Sequence, residues 1–132
     1  MSKCILTVCC VVVMAGAAVM AAPPARTPAA PWVKGYVVAI VDVANAEGYA
    51  EYSKHVPATI AKYGGRYLVR GGKTEVREGE WPGPRTVILE FPSLARALER
   101  YDSPEYKPLR PVRQANSRAQ IAFFEGVANP AG

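Results

Sequence analysis

The side chains with the most chemistry to offer are a single histidine, His55, a serine two residues before it, and two carboxylates in apolar surroundings, Asp42 and Glu90. Imidazole titrates near neutrality, which makes His55 a candidate general acid or base. Asp42 and Glu90 lie in hydrophobic runs, where desolvation raises a carboxyl pKa and can create a general base. Each also has a plainer role, as ion-pair partner of Arg70, Arg85 or Arg113, and that role is preferred. His55 likewise reads first as a boundary residue beside an apolar helical stripe, within reach of a pocket rim. Ser53 and His55 point to different faces of a helix, and no serine has the Gly-x-Ser-x-Gly setting, so a hydrolase triad is not expected.

One histidine cannot build a multi-histidine metal site, and no carboxylate cluster of suitable spacing accompanies it; no metal and no cofactor are expected. Gly72-Lys73-Thr74 has the look of a phosphate-binding loop, but Tyr67 occupies the position where that motif needs a glycine, and the residues that follow read as extended. The ligand-binding candidates are Arg70, Tyr106 and Arg113, cationic and phenolic donors that would suit a small anionic or enolic ligand beside an apolar cavity. Trp81, in a Pro/Gly loop, is a further candidate as a contact residue or lid.

The elements that must position these residues follow from periodicity. Tyr36–Val43 is a β-branched, unbroken strand, and from Asn45, an N-cap, apolar residues recur at Tyr49, Tyr52, Val56, Ile60 and Tyr63 with helical period. Pro57 falls inside that helix and predicts a kink or a fresh start, and Gly64-Gly65 a left-handed C-cap. Arg66–Arg70 alternates as a second strand, Gly71-Gly72 turns or bulges it, and Lys73–Glu78 continues it along an edge. Gly79–Pro84 is a loop, and Thr86–Phe91 a third strand. Pro92-Ser93 caps a helix with Leu94, Leu98 and Tyr101 on one side, Ser103-Pro104-Glu105 starts a short further helix, and Ala119–Glu125 is the last strand.

The first thirty residues are of another kind. Lys3 precedes an uncharged apolar run, Cys4–Ala22, and a Pro/Ala-rich stretch follows, the layout of a signal peptide over residues 1–21, cleaved before Ala22, and a stiff linker over 22–32. An uncleaved anchor is the alternative, weakened by Gly16 and the alanines after it. All three cysteines lie in this leader, so the mature domain has no thiol chemistry. Loss of Lys3 lowers the formal charge from +5 to +4, and no Lys/Arg run occurs; nucleic acid is not an expected partner. The expected location is periplasmic or secreted, without stable membrane insertion once the leader is gone.

The order of elements gives an α+β, ferredoxin-like β-α-β-β-α-β two-layer sandwich with an antiparallel sheet over residues 33–127, and a short tail, 128–132. In such a unit the helices cover one face of the sheet, yet Tyr36, Val38 and Ile40 oppose Val37, Ala39 and Val41, and Ile88 opposes Val87 and Leu89. The second face needs a cover, and a second copy of the chain is the economical one, so a homodimer is expected.

The segments His55–Gly72, Leu89-Glu90-Phe91-Pro92-Ser93 and Ser103-Pro104-Glu105-Tyr106 resemble the domain-of-unknown-function 1330 family of bacterial proteins, over Lys34–Gly126. The resemblance implies a dimeric α/β-barrel protein and no agreed activity. Two residues depart from the pattern: Arg100 stands where the family commonly has tryptophan, and Pro111 interrupts a helix that usually continues. If that aromatic lines a pocket, the pocket of this chain is different. The preferred expectation is a homodimer that binds a small molecule without turnover. The alternative, by analogy with the superfamily, is a cofactor-independent monooxygenase- or isomerase-like enzyme with His55, Asp42 or Glu90 handling protons.

Overall fold

The computed structural model describes residues 33–128; the expected leader and linker, with every cysteine, and residues 129–132 lie outside the described residues. The elements are β1 (Gly35–Val43), α1 (Ala46–Lys62), β2 (Arg66–Arg70), β3 (Arg85–Phe91), α2 (Leu94–Tyr101), α3 (Leu109–Asn116) and β4 (Ser117–Glu125). All neighbouring strands are antiparallel, in the order β2-β3-β1-β4. This is the ferredoxin-like α+β sandwich that the order of elements predicts.

Strand pairing decides which side chains meet the helices. Val37 stands opposite Leu89 on β3 and Phe123 on β4, and Ala39 opposite Val87 and Ile121, so these share one face. Against them α1 lays Tyr49, Tyr52, Val56, Ile60 and Tyr63, the stripe read from the sequence, and all five are buried. Asn45 caps α1 by accepting from the Gly48 amide at 3.3 Å. At the other end Gly64 takes φ +75°, with Gly64 N–H donating to the Ala61 carbonyl and Gly65 N–H to Ile60, the Schellman arrangement.

Four local expectations are corrected, and a fifth, the turn at Gly71-Gly72, holds. Helix α1 makes no fresh start at Pro57 but runs through it as one element, and Val56, Thr59 and Ile60 on either side of it are buried. The edge extension at Lys73–Glu78 does not form: β3 begins only at Arg85, so the segment has no ladder to join, and its charges pair among themselves as Lys73–Glu75 and Arg77–Glu75. The irregularity of β2 lies between Tyr67 and Val69, while Gly71 ends the strand with φ +65° and an N–H bond of 2.8 Å to the Thr86 carbonyl. Helix α2 turns Ala97, Arg100 and, as expected, Tyr101 inward, whereas Leu98 is exposed. Finally, Ser103 caps only a single turn, through Tyr106 N–H to Ser103 Oγ (3.2 Å) and Lys107 N–H to the Ser103 carbonyl (2.9 Å). Pro108 has no N–H to carry that turn on, so α3 starts at Leu109, with Pro111 in its first turn where a missing donor is harmless.

The other sheet face carries Tyr36, Val38, Ile40, Val69 and Ile88, all half-buried, and the exposed Phe124. No helix among the described residues lies over it. The loop between β2 and β3 covers part of it, with Trp81 Nε1 donating to Thr86 Oγ1 at 3.1 Å and Gly83 lying against Ile40.

Candidate functional site

A cavity of about 50 Å³ lies between the helix-facing side of the sheet, α1, α2 and the turn that carries Tyr106. That is room for a few water molecules or the buried part of a small ligand. Its floor is aliphatic, from Val37, Ala39 and Val41 on β1, Val87 and Leu89 on β3, and Ile121 on β4; Val56 and Ile60 of α1 roof it. The polar lining is unusual in sign. Arg70, Arg85, Arg100 and Arg113 all reach it, together with five tyrosines, and no aspartate, glutamate or histidine does.

Each arginine is aimed by its element. Arg70 is the last residue of β2 and stands opposite Val87; Arg85 opens β3 opposite Val41; both therefore share the helix-facing side. Arg100 follows Ala97 by three residues on the inward face of α2, and Arg113 is the buried residue of α3. A Cβ at Gly71 would run into the Arg85 guanidinium, so glycine there leaves the group its place. The guanidinium of Arg100 stacks on the Tyr106 ring at 3.6 Å and donates to Thr59 Oγ1 from Nε (3.1 Å) and Nη2 (2.9 Å). Arg70 lies 4.6 Å over Tyr67 and Arg85 5.8 Å from the Tyr49 ring centre.

Among the described residues none of these four arginines makes an ion pair, and Arg85 Nε and Arg113 Nε are buried without a hydrogen-bond partner. A buried guanidinium without a counter-ion is costly, because the lost hydration is not replaced. Burial accordingly lowers the Arg100 pKa, while nearby phenols act in the opposite direction. The tyrosines add neutral donors. Tyr52 and Tyr106 hydroxyls lie 2.9 Å apart, deep in the wall, and either can be the donor. Burial first, then the neighbouring Tyr106 hydroxyl, raise the Tyr52 pKa, so this phenol stays protonated. Burial also raises that of Tyr67, against the pull of Arg70, Arg100 and Arg85. The whole can accept a small ligand with anionic oxygen on an apolar frame.

Of the residues singled out from the sequence, Arg70, Tyr106 and Arg113 meet at this cavity. His55, Asp42, Glu90 and Trp81 do not. His55 is exposed on α1. Asp42 and Trp81 share a shallow recess on the opposite sheet face. Glu90 points to that same face and pairs with Arg66 at 3.0 Å, an arginine other than the three proposed for it. Arg85 and Arg100 were not among the site candidates, although the departure at Arg100 from the family pattern marked a pocket difference. Tyr49 and Tyr52 were readable only as core stripe. No group of three or more His, Cys, Asp or Glu among the described residues is placed to hold a metal ion.

Comparison with known proteins agrees with this architecture. The family model "Domain of unknown function (DUF1330)" matches residues 34–127, and the chain belongs to that family. No protein with a curated description matches it. A protein of unknown function from Rhodopseudomonas palustris is similar in structure, with 20% identity, a TM-score of 0.61, and 75% of this chain and 85% of that one covered. SnoaB, a cofactor-independent oxygenase from Streptomyces nogalater, is similar at 15% identity and a TM-score of 0.50, covering 75% of this chain and 96% of its own. At such identities the likeness is one of fold.

Proposed function

We propose that this member of the DUF1330 family is an exported, homodimeric binding protein that takes a small organic anion into the sheet–helix cavity without a cofactor. One observation carries the reading: four arginines converge on an apolar cavity that no acidic side chain enters. Charges left unpaired in a wall cost stability, and a chain retains them where a ligand supplies the missing counter-charge. The export part rests on the leader pattern of residues 1–21 and the dimer on the apolar second face of the sheet, which a symmetric partner would cover.

The test is a thermal unfolding series with butyrate and with butyramide, its uncharged analogue, at low ionic strength. Butyrate raises the midpoint and butyramide does not; equal shifts, or none, would refute anion binding. Light scattering at micromolar concentration reports a dimer, and a clean monomer refutes that part.

A second reading, turnover of the cofactor-independent oxygenase or isomerase kind, is favoured by the Tyr52–Tyr106 hydroxyl pair, which could hold a proton beside an enolic substrate. The absence of His55, Asp42 and Glu90 from the lining ranks it behind binding.

A further inference from the structure

The strand register indicates where in the cavity an anionic group belongs. Val41 on β1 stands opposite Arg85 on β3 and Ala119 on β4, and Ser117, two residues before Ala119, shares its face. Ser117 Oγ donates to the Arg113 carbonyl at 2.8 Å, so Arg113 enters from that same end of the sheet. Arg85 comes from the β3 side and Arg113 from the β4 side, and both line the cavity.

Buried donors without a partner are confined to that end. Among the described residues the buried side-chain nitrogens that lack one are Arg85 Nε, Arg113 Nε and Arg110 Nε, and Arg110 does not line the cavity. Arg113 is 6% exposed. Arg100 gives Nε and Nη2 to Thr59 and acts on a bound anion through its charge, while Arg70 is exposed at the rim. A carboxylate has roughly four acceptor sites, which two guanidiniums satisfy.

The hollow itself lies one step along the strand. Ala39, two residues before Val41, stands between Val87 and Ile121 and is the smallest side chain of the floor. The cavity volume of about 50 Å³ is about four water-sized volumes, the scale of a short alkyl chain.

We infer that the ligand is a short monocarboxylate of propionate or butyrate size, its carboxylate between Arg85 and Arg113 above Val41 and its alkyl chain in the hollow over Ala39. This rests on the cavity being an anion site at all. Ala39 then sets the size of the chain, and Arg85 and Arg113 select the head group.

The experiment is calorimetric titration of the purified protein with propionate, butyrate, benzoate and succinate in a buffer otherwise free of carboxylates. Propionate and butyrate bind at least about tenfold more tightly than benzoate, whose ring exceeds the hollow. The same holds against succinate, whose second carboxylate would lie over Ala39 without an open buried donor. Ala39→Val fills the hollow and leaves all four arginines in place; it weakens butyrate at least about tenfold, with the thermal midpoint unchanged or raised. Arg85→Gln also weakens butyrate about tenfold, by loss of one charge-assisted pair, and Arg85 is only half-buried, so this variant serves where a change at Arg113 does not fold. Benzoate or succinate binding as tightly as butyrate would overturn the ligand class. Undiminished butyrate binding by Ala39→Val or Arg85→Gln, or a fall in the Ala39→Val midpoint, would overturn the placement; all of these leave the anion site standing. Failure of all four acids to bind the parent protein removes the anion site as well.

Discussion

Replacing Arg100 by methionine separates a ligand-binding arginine from a structural one. Arg100 is 4% exposed, has no carboxylate partner, and is held only by two bonds to Thr59 Oγ1 and by stacking on Tyr106. The two bonds share one neutral acceptor and together contribute about 1.5–3 kcal/mol, and the stacking adds about 1–2 kcal/mol. Against this stands the desolvation of an unpaired guanidinium, several kcal/mol even after relaxation, and repulsion from three more arginines. Thr59 is not orphaned by the change, because its hydroxyl donates to the Val56 carbonyl at 2.8 Å. The opposing contributions nearly cancel, so Arg100→Met changes unfolding free energy by no more than about 1 kcal/mol in anion-free buffer. The assay is urea unfolding, read as the midpoint at constant slope. Saturating butyrate at a hundred times its dissociation constant adds about 2.7 kcal/mol to the parent, and the variant loses most of that gain. A loss of about 3 kcal/mol or more without ligand would refute the reasoning, since the arginine would then be holding the fold rather than waiting for an anion.

Three further outcomes follow from the geometry. Tyr52→Phe and Tyr106→Phe each cost about 1 kcal/mol, and the double variant about the same as either alone, because one buried bond is lost in all three; additive losses in urea unfolding would refute the pairing. Glu105 anchors the Tyr106 turn to α1 through Lys62 and Tyr63, and the Lys62 bond first, then a backbone hydrogen bond at Glu105 itself and the Tyr63 bond, hold its pKa at about 2, below the ordinary 4.5. A depressed carboxyl pKa contributes stability above pH 4.5 that is lost as pH falls toward 2, so Glu105→Gln flattens that acid limb of the stability curve, and an unchanged limb counts against the anchor. A Cβ at Gly35 would collide with the backbone of Ser93 and Leu94, where α2 begins against β1, so Gly35→Ala lowers stability by about 2 kcal/mol; an unshifted thermal midpoint would contradict that close approach.

Local signals were legible wherever one short stretch of chain decides the outcome. The Asn45 and Ser93 caps, the Gly64-Gly65 end of α1 and the apolar stripe from Tyr49 to Tyr63 are all where side-chain chemistry and helical period put them. Where a distant partner decides, sequence reasoning failed. The run Lys73–Glu78 reads as a polar edge extension of β2 and has no neighbour to pair with. Leu98 reads as core and is exposed, because Arg100, three residues after Ala97, takes the inward position.

The candidate site divides in the same way. Its suspects among the titratable residues, His55, Asp42 and Glu90, follow from side-chain chemistry and local hydrophobicity, which cannot say which sheet face a residue shares with the helices. From sequence alone came the fold class, the family and the suspicion that arginine and tyrosine serve a ligand, because periodicity, caps and motifs are properties of adjacent residues. Only the tertiary structure brought Arg70, Arg85, Arg100 and Arg113 to one cavity. They come from four different elements, and the register of β3 against β1 and the packing of α2 and α3 on the sheet are set by long-range burial that no local stretch of chain contains.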